Sequence, residues 1–262
     1  MNTRKPVTLV TGASSGIGAA LAHVFAENRH SLVLVARRAA ELSALAEAIA
    51  ATGANRPEII AMDLTASGAS DALAAELETR GLEPAVVVNS AGFGLAGAAA
   101  RLDLAQQLAM IDLNARMLTD LSLRFVESLA RHNGGVLNVG SIAGFYPGPA
   151  MAVYHATKAY VLSFGEALHH ELSSKGVRVT TLCPGPVETD FLARAGTEID
   201  AFPNYLRRSV DRVARDGYDG FMRGRRVVVP GSANRVTTWL PRLLPRRLVT
   251  RLIADSRKGW RE

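Results

Sequence analysis

The sequence predicts a doubly wound α/β fold, a single parallel sheet of about seven strands with helices on both faces. Three observations predict it. Short apolar, β-branched runs recur near residues 7–11, 31–36, 57–62, 85–89, 135–140, 177–183 and 225–229. Alanine- and leucine-rich stretches with helical spacing lie between them, so strand and helix alternate as parallel crossover connections require. At 262 residues, with no internal repeat, the chain suits one large domain able to cover both faces of such a sheet.

The first strand, Val7 to Thr11, runs into Thr11-Gly12-Ala13-Ser14-Ser15-Gly16-Ile17-Gly18 and then into the helical Ala19-Ala20-Leu21-Ala22. Strand, glycine loop and helix start stand in the order a phosphate site needs. Gly12 permits a tight turn, Gly16 lets the backbone approach a pyrophosphate, and Gly18 lets the helix pack on the sheet. The unpaired N–H groups of the first helical turn then face the anion. A glycine loop alone also serves as a plain turn; the flanking strand and helix make this one a nucleotide site. The second strand ends in Ala36-Arg37-Arg38, where an acidic residue would take the ribose hydroxyls of NAD. Two guanidiniums there suit a 2′-phosphate instead, so NADP (NADPH) is preferred and NAD is the lesser candidate. The alternative is that Arg37 and Arg38 are solvated charges at a strand end.

After the third strand, Asp63 also has an ordinary reading, as the residue that closes the strand with a turn. The fifth strand leads to Ser141 and a loop punctuated by Gly144, Pro147, Gly148 and Pro149. A helix is expected from about Met151 to Leu172, and on it Tyr154 and Lys158 share a face because side chains at i and i+4 are neighbours. A free phenol titrates near pH 10. A close ammonium would lower that value toward the working pH, where proton transfer is most effective. Ser141 could hold a substrate oxygen in line with the tyrosine. The pair alone also fits a plain amphipathic face; the nucleotide loop at the other end of the chain tips the reading toward chemistry.

With these elements together, the chain from Val7 to about Gly231 resembles the short-chain dehydrogenase/reductase (SDR) family. Thr11-Gly12-x-x-x-Gly16-x-Gly18 is similar to the family's nucleotide loop, and Asp63-Leu64 stands where relatives contact adenine. Asn89-Ser90-Ala91-Gly92 resembles the family's Asn-Asn-Ala-Gly motif with Ser90 in place of the second asparagine. Asn114 matches the helix asparagine that supports a proton relay, although by itself it would read as a capping or surface residue. Pro184-Gly185-x-Val187-x-Thr189 resembles the segment that grips the nicotinamide carboxamide; Thr189 also suits an N-cap. The resemblance implies a Rossmann-type fold, a catalytic set of Asn114, Ser141, Tyr154 and Lys158, and a cofactor held by Gly12, Ser14, Ser15, Gly16, Ile17, Gly18, Arg37, Arg38, Asp63, Leu64, Asn89, Ala91, Gly92, Tyr154, Lys158, Pro184, Gly185, Val187 and Thr189. It implies hydride transfer between nicotinamide and a carbonyl or secondary alcohol, and a homodimer or homotetramer. The filled catalytic set argues against the other class weighed, a non-catalytic NADP(H)-binding sensor or scaffold.

Composition excludes other classes. Cys183 is the single cysteine, so no intrachain disulfide forms and a reducing cytoplasm is expected; beside Pro184 it reads as a small buried apolar residue. His155 is expected to project away from the Tyr154–Lys158 face, and His169 and His170 diverge on a helix, so no metal set converges. The first apolar run stops at Gly12, unlike a signal peptide, and no apolar stretch approaches the roughly 20 residues of a spanning helix.

The expected organisation is a catalytic domain over residues 1–232, with a substrate loop near 188–216, and a basic, leucine-rich extension over 233–262. The loop carries Phe191, Leu192, Ala195, Ile199, Phe202, Tyr205 and Leu206, favouring a lipophilic substrate (a ketone, steroid-like or 3-oxoacyl compound) unless they fill the loop's own core. From residue 223 onward the chain has eleven basic residues against Asp255 and Glu262, a local charge of +9 within an overall +6. Leu240, Leu243, Leu244, Leu248, Val249, Leu252 and Ile253 interleave with the arginines, and Pro241 and Pro245 are expected to break the stretch into short helices. Two readings follow. The segment rests on an anionic membrane surface or receives a lipophilic acyl-chain or ring substrate near one, or else its leucines pack on the protein's own cleft or a second subunit while the arginines face water; the last is preferred. With tryptophans at 239 and 260 but no recognisable binding module, nucleic acid is not expected.

Overall fold

A computed structural model describes residues 4–196 and 199–256. Its strands are β1 (Lys5–Thr11), β2 (Leu32–Ala36), β3 (Glu58–Ala61), β4 (Leu82–Asn89), β5 (Gly135–Val139), β6 (Arg178–Leu182) and β7 (Val227–Val228). They form one sheet in the order β3-β2-β1-β4-β5-β6-β7, with every pairing parallel. The helices are α1 (Gly16–Glu27), α2 (Ala39–Ala51), α3 (Ala69–Thr79), α4 (Leu104–Ile111), α5 (Leu118–Arg124), α6 (Val126–Arg131), α7 (Ala152–Ser173), α8 (Asp190–Arg194), α9 (Val210–Met222), α10 (Ser232–Leu243) and α11 (Arg246–Ser256).

Helices cover both faces, so the central strands read as continuous apolar runs; every residue of Leu32–Ala36 is buried. Successive strand residues feed opposite layers. Val10 and Leu34 pack with Leu21 and Phe25 of α1 and Phe221 of α9. Leu9 and Val33 pack with Leu73 of α3, Leu121 of α5 and Leu168 of α7.

The fourth strand begins at Leu82, earlier than the sequence suggests, because Pro84 disguises it. Val7 pairs with Pro84 and Thr8 with Val86, so Ala85 is the extra residue of a bulge. A bulge is where a central strand tolerates a residue with no N–H. β1 lies between β2 and β4, and strand order reverses there. A crevice opens at the carboxyl ends of strands at such a reversal. Thr11 fastens its floor: the hydroxyl donates to the Val88 carbonyl at 3.3 Å and accepts from Ser90 N and Ala91 N at 3.1 and 3.2 Å.

Beyond β7, α10 packs on the turn Ile142–Phe145 and on Asn204–Leu206, the latter in the expected substrate loop. Pro245 separates α10 from α11, whereas Pro241 lies inside α10 near its end and does not split it. Among the described residues no helix is long and apolar enough to cross a membrane.

Candidate active site

A cleft of about 540 Å³ lies over the carboxyl ends of the strands and joins the glycine loop at one end to Tyr154 at the other. Gly12, Ser14, Ser15, Gly16, Ile17 and Gly18 all line it, as do Arg37, Arg38, Asp63, Leu64, Ala91 and Gly92. Gly12 has φ +65°, and a Cβ there would fall 2.8 Å from the Ala91 backbone. A Cβ on Gly18 would collide with the Gly12 carbonyl. Gly18 therefore lets α1 start directly against the ends of β1 and β4, at Gly12 and Ser90.

Ser15 is the N-cap of α1 but makes no capping bond with its side chain. Its hydroxyl accepts from Arg38 Nη2 at 2.9 Å, and Ser14 accepts from Arg38 Nη2 and Nε at 3.0 and 3.3 Å. The Ser15 side chain thus leaves the first-turn amides of α1 uncapped, and a guanidinium is held beside them. The loop fits a dinucleotide pyrophosphate on these grounds. Arg38 also approaches Glu41 at 3.5 Å and Asp190 of α8 at 3.8 Å. Arg37 is looser, with its side chain 67 % exposed and 4.0 Å from Asp63. Asp63 closes the third strand with a turn, the ordinary reading of this residue. The Thr65 backbone N–H, bonded at 2.9 Å, holds its carboxyl below the usual range, and the residue still borders the cleft.

Asn89 departs from expectation. It is buried, 3 % exposed, and its Nδ2 donates to Asn138 Oδ1 at 2.9 Å, Ser122 Oγ at 3.0 Å and the Leu118 carbonyl at 3.4 Å. It ties β4 to β5 and α5 beneath the site; its neighbour Ser90 lines the cleft instead. Strand alternation explains the exchange, since adjacent side chains take opposite faces.

Asn114 is neither a cap nor a surface residue. It sits in a π-helical turn, Asp112–Met117, between α4 and α5, a geometry that recurs at functional sites. Its Oδ1 accepts from Phe93 N at 3.1 Å, and its Nδ2 donates to the Phe93 carbonyl at 2.9 Å and to Thr157 Oγ1 at 3.2 Å. The amide clamps the segment after Gly92 to α7 one residue before Lys158.

Ser141 begins the turn Ile142–Phe145, its Oγ accepting from Ala143 N at 3.1 Å. α7 carries Tyr154, His155 and Lys158, all buried. Burial pushes the Tyr154 phenol up to about 12, and its hydrogen bond with Ser141 pulls the other way. Lys158 Nζ donates to the Val139 carbonyl at 2.8 Å and lies 5.8 Å from the Tyr154 ring centroid. Its own pKa falls to about 8 because burial penalises the ammonium. The expected lowering of Tyr154 by Lys158 is not seen: desolvation dominates both groups, and the ammonium is turned to a carbonyl.

His155 does not project clear of the site. Its Nδ1 lies 2.9 Å from the Tyr146 carbonyl and its ring borders the cleft, because the Tyr146–Met151 loop wraps over the start of α7. His169 joins α7 to β6, with Nδ1 2.8 Å from the Val179 carbonyl. Cys183 is fully buried and its thiol is pushed up to about 12 by that burial.

Pro184, Gly185, Val187 and Thr189 line the cleft, as do Phe191, Leu192, Phe202 and Leu206 from the expected substrate loop. Phe191 lies 5.3 Å from the Tyr154 ring between centroids. Ala195 instead packs against the body of the protein in a cluster with Met110, Met151 and Tyr154, and Tyr205 is 66 % exposed. Missed by sequence reasoning were Phe93, Tyr146 and Met151 of the cleft wall, and Asn234 of α10, which is fully buried and donates to the Leu206 carbonyl at 3.0 Å and the Pro230 carbonyl at 2.9 Å. Only a polar residue at helical spacing among apolar ones marked Asn234, a signal too common to single it out.

A sheet with this strand order, a glycine loop at its reversal and a Ser–Tyr–Lys set at the other end of one cleft define a dinucleotide-dependent oxidoreductase. Residues 6–200 match the short chain dehydrogenase family, and the chain belongs to that family. It is 38 % identical over 211 residues, 79 % of this chain and 83 % of the relative, to a sulfoacetaldehyde reductase of Chromohalobacter salexigens. Among solved structures it is similar to a short-chain dehydrogenase from Sphingobium yanoikuyae in complex with NADPH, 32 % identical with a TM-score of 0.80, covering 91 % of this chain and 94 % of that one. It is also similar to a bulky-bulky ketone specific alcohol dehydrogenase from Comamonas testosteroni, 28 % identical with a TM-score of 0.76, covering 92 % and 93 %.

Proposed function

We propose that the protein is an NADP-dependent carbonyl reductase or alcohol dehydrogenase acting on a lipophilic ketone, steroid-like or 3-oxoacyl compound. The observation that carries this reading is that one cleft holds both the Arg38–Ser14–Ser15 cluster and, at its apolar end, Ser141, Tyr154 and Phe191. Bound nicotinamide supplies or accepts the hydride at the substrate carbon. The glycine loop and the first turn of α1 bind the pyrophosphate, and Arg38, with Arg37 at the edge, takes the 2′-phosphate. Pro184 to Thr189 and Asp63-Leu64 serve the nicotinamide and adenine ends.

In the reducing direction Tyr154 gives its proton to the carbonyl oxygen while Ser141 holds that oxygen in place. A phenol raised by burial to about 12 is a fully protonated donor, and it gives up its proton as hydride arrival makes the substrate oxygen a base stronger than the phenolate. Lys158 keeps a positive charge beside the phenol and holds the nicotinamide ribose. Asn114 fixes the start of α7 and supports proton resupply. Phe191, Leu192, Phe202 and Leu206 exclude water and favour an apolar substrate; the NADPH-bound and bulky-ketone neighbours support the same reading. Assembly into a homodimer or homotetramer belongs to it as well: Leu104, Leu108 and Ile111 share one face of α4 and are 68 %, 52 % and 43 % exposed. The lone cysteine supports a cytoplasmic setting.

The test is consumption of NADPH and NADH across a panel of aldehydes, aliphatic ketones, bulky ketones and 3-oxoacyl thioesters. Turnover of bulky or acyl ketones with NADPH is expected. Turnover confined to small polar aldehydes, or faster with NADH, would overturn it.

A further inference from the structure

We propose that the C-terminal helices α10 and α11 dock the protein reversibly on an anionic lipid surface. α10 is built inside out. Asn234 and Thr238 are 0 % and 4 % exposed and face the protein, while Val236, Trp239 and Leu243 are 64 %, 64 % and 77 % exposed. At 3.6 residues per turn these three fall within an arc of about 60° on the side away from Asn234 and Thr238. On α11, Leu248 and Leu252 stand one turn apart and are 42 % and 54 % exposed, while Val249 is buried. Val236, Trp239, Leu243, Leu248 and Leu252 therefore do not pack on the protein's own cleft, one of the two arrangements the sequence favoured, the other being a second subunit; Asn234 and Thr238 occupy the inward side of α10.

Charge decides what covers the apolar side chains. Arg235, Arg246, Arg247 and Arg251 are exposed on the same two helices, and Asp255 is the single acidic residue between 232 and 256. A second copy meeting this face about a two-fold axis would set arginines against arginines. An anionic bilayer supplies both missing elements at once, an apolar boundary for leucine and an indole, and phosphates for the guanidiniums. The mouth of the cleft lies close by. Asn234 donates to the carbonyl of Leu206, which lines the cleft, and Arg246, Arg247 and Arg251 lie around Pro147, the residue after the cleft-lining Tyr146. Docking then brings a lipophilic carbonyl compound to the cleft from the lipid phase; this consequence rests on the proposed reductase activity, but the docking itself does not.

The test uses the full chain and sedimentation with vesicles of phosphatidylcholine alone or mixed equally with phosphatidylglycerol. Binding to the mixed vesicles that weakens with salt is expected, with little to neutral ones. Trp239→Ser with Leu243→Ser should weaken it about tenfold or more, and Arg246→Ala, Arg247→Ala and Arg251→Ala together by roughly a hundredfold at low salt. Unchanged thermal unfolding and cofactor binding would show these variants folded. With Trp260→Phe, leaving Trp239 as the one tryptophan, emission should shift to the blue on mixed vesicles. No preference for anionic vesicles, binding indifferent to both sets of substitutions, or a dimer that the apolar substitutions dissociate would overturn the proposal. Failure here would leave NADPH turnover untouched, and a chain without turnover could still bind vesicles.

Discussion

Asn234 of the C-terminal α10 lies so close to Gly185 that a Cβ on the glycine would stand 2.5 Å from the asparagine amide. The tail thereby braces the segment expected to grip the nicotinamide, and the same amide reaches the substrate loop through Leu206. Asn234→Ala leaves two carbonyls without their buried donor, a loss of about 1–3 kcal/mol in stability. Gly185→Ala should instead weaken cofactor binding, because the added methyl displaces the backbone. Denaturant unfolding and NADPH titration of the two variants separate these effects; equal stability of Asn234→Ala and the parent chain would remove the bracing role.

Tyr154→Phe should lower turnover about 100-fold or more while leaving NADPH affinity within a few-fold, the scale expected for loss of a general acid. Steady-state kinetics on the best ketone checks it. Full turnover without the hydroxyl would sink the assignment, and tight NADPH binding with no turnover in the parent chain would favour a sensor.

Arg38 and Arg37 should not be equivalent. Arg38 is held by Ser14 and Ser15 at the mouth of the loop, whereas Arg37 is 67 % exposed. Arg38→Ala should raise the KM for NADPH by roughly tenfold or more, as expected for charge-assisted hydrogen bonds, and leave that for NADH nearly unchanged. Arg37→Ala should have a smaller effect. A larger loss from Arg37→Ala would reverse their order.

Lys158 should act on stability in the opposite sense to activity. Its folded pKa is about 8 against an ordinary 10.5, so between those values the unfolded chain binds more protons and stability rises with pH. Below about pH 8 the full penalty of a buried ammonium is present. Lys158→Met should therefore gain stability at pH 7, on the order of 1–3 kcal/mol, and lose most turnover. Urea unfolding of both proteins at neutral pH and at about pH 9.5 should show the advantage shrinking as the parent ammonium deprotonates.

Much of this site was legible because its parts are local. The loop from Gly12 to Gly18 and the Tyr154–Lys158 pair are spaced by backbone geometry, and both fall where the spacing puts them. Strand alternation hid which residue of Asn89-Ser90 faces the cleft, since a motif gives order but not face. The helical reading of Tyr154 and Lys158 gave their proximity but not the burial that moves both pKa values. Asn234 and the inverted α10 were illegible for a deeper reason: whether a helix turns its polar side inward depends on what lies beneath it, here Gly185 and Leu206, far away in the chain.

Cys183, fully buried at the end of β6 and the chain's one thiol, makes the protein its own reporter of breathing. A thiol reagent can react there only when the strand end beside Ser141 opens, so the rate of labelling measures that opening without an introduced probe. Ligands that close the cleft should slow the reaction, and compounds could be ranked by protection alone, before any substrate is known.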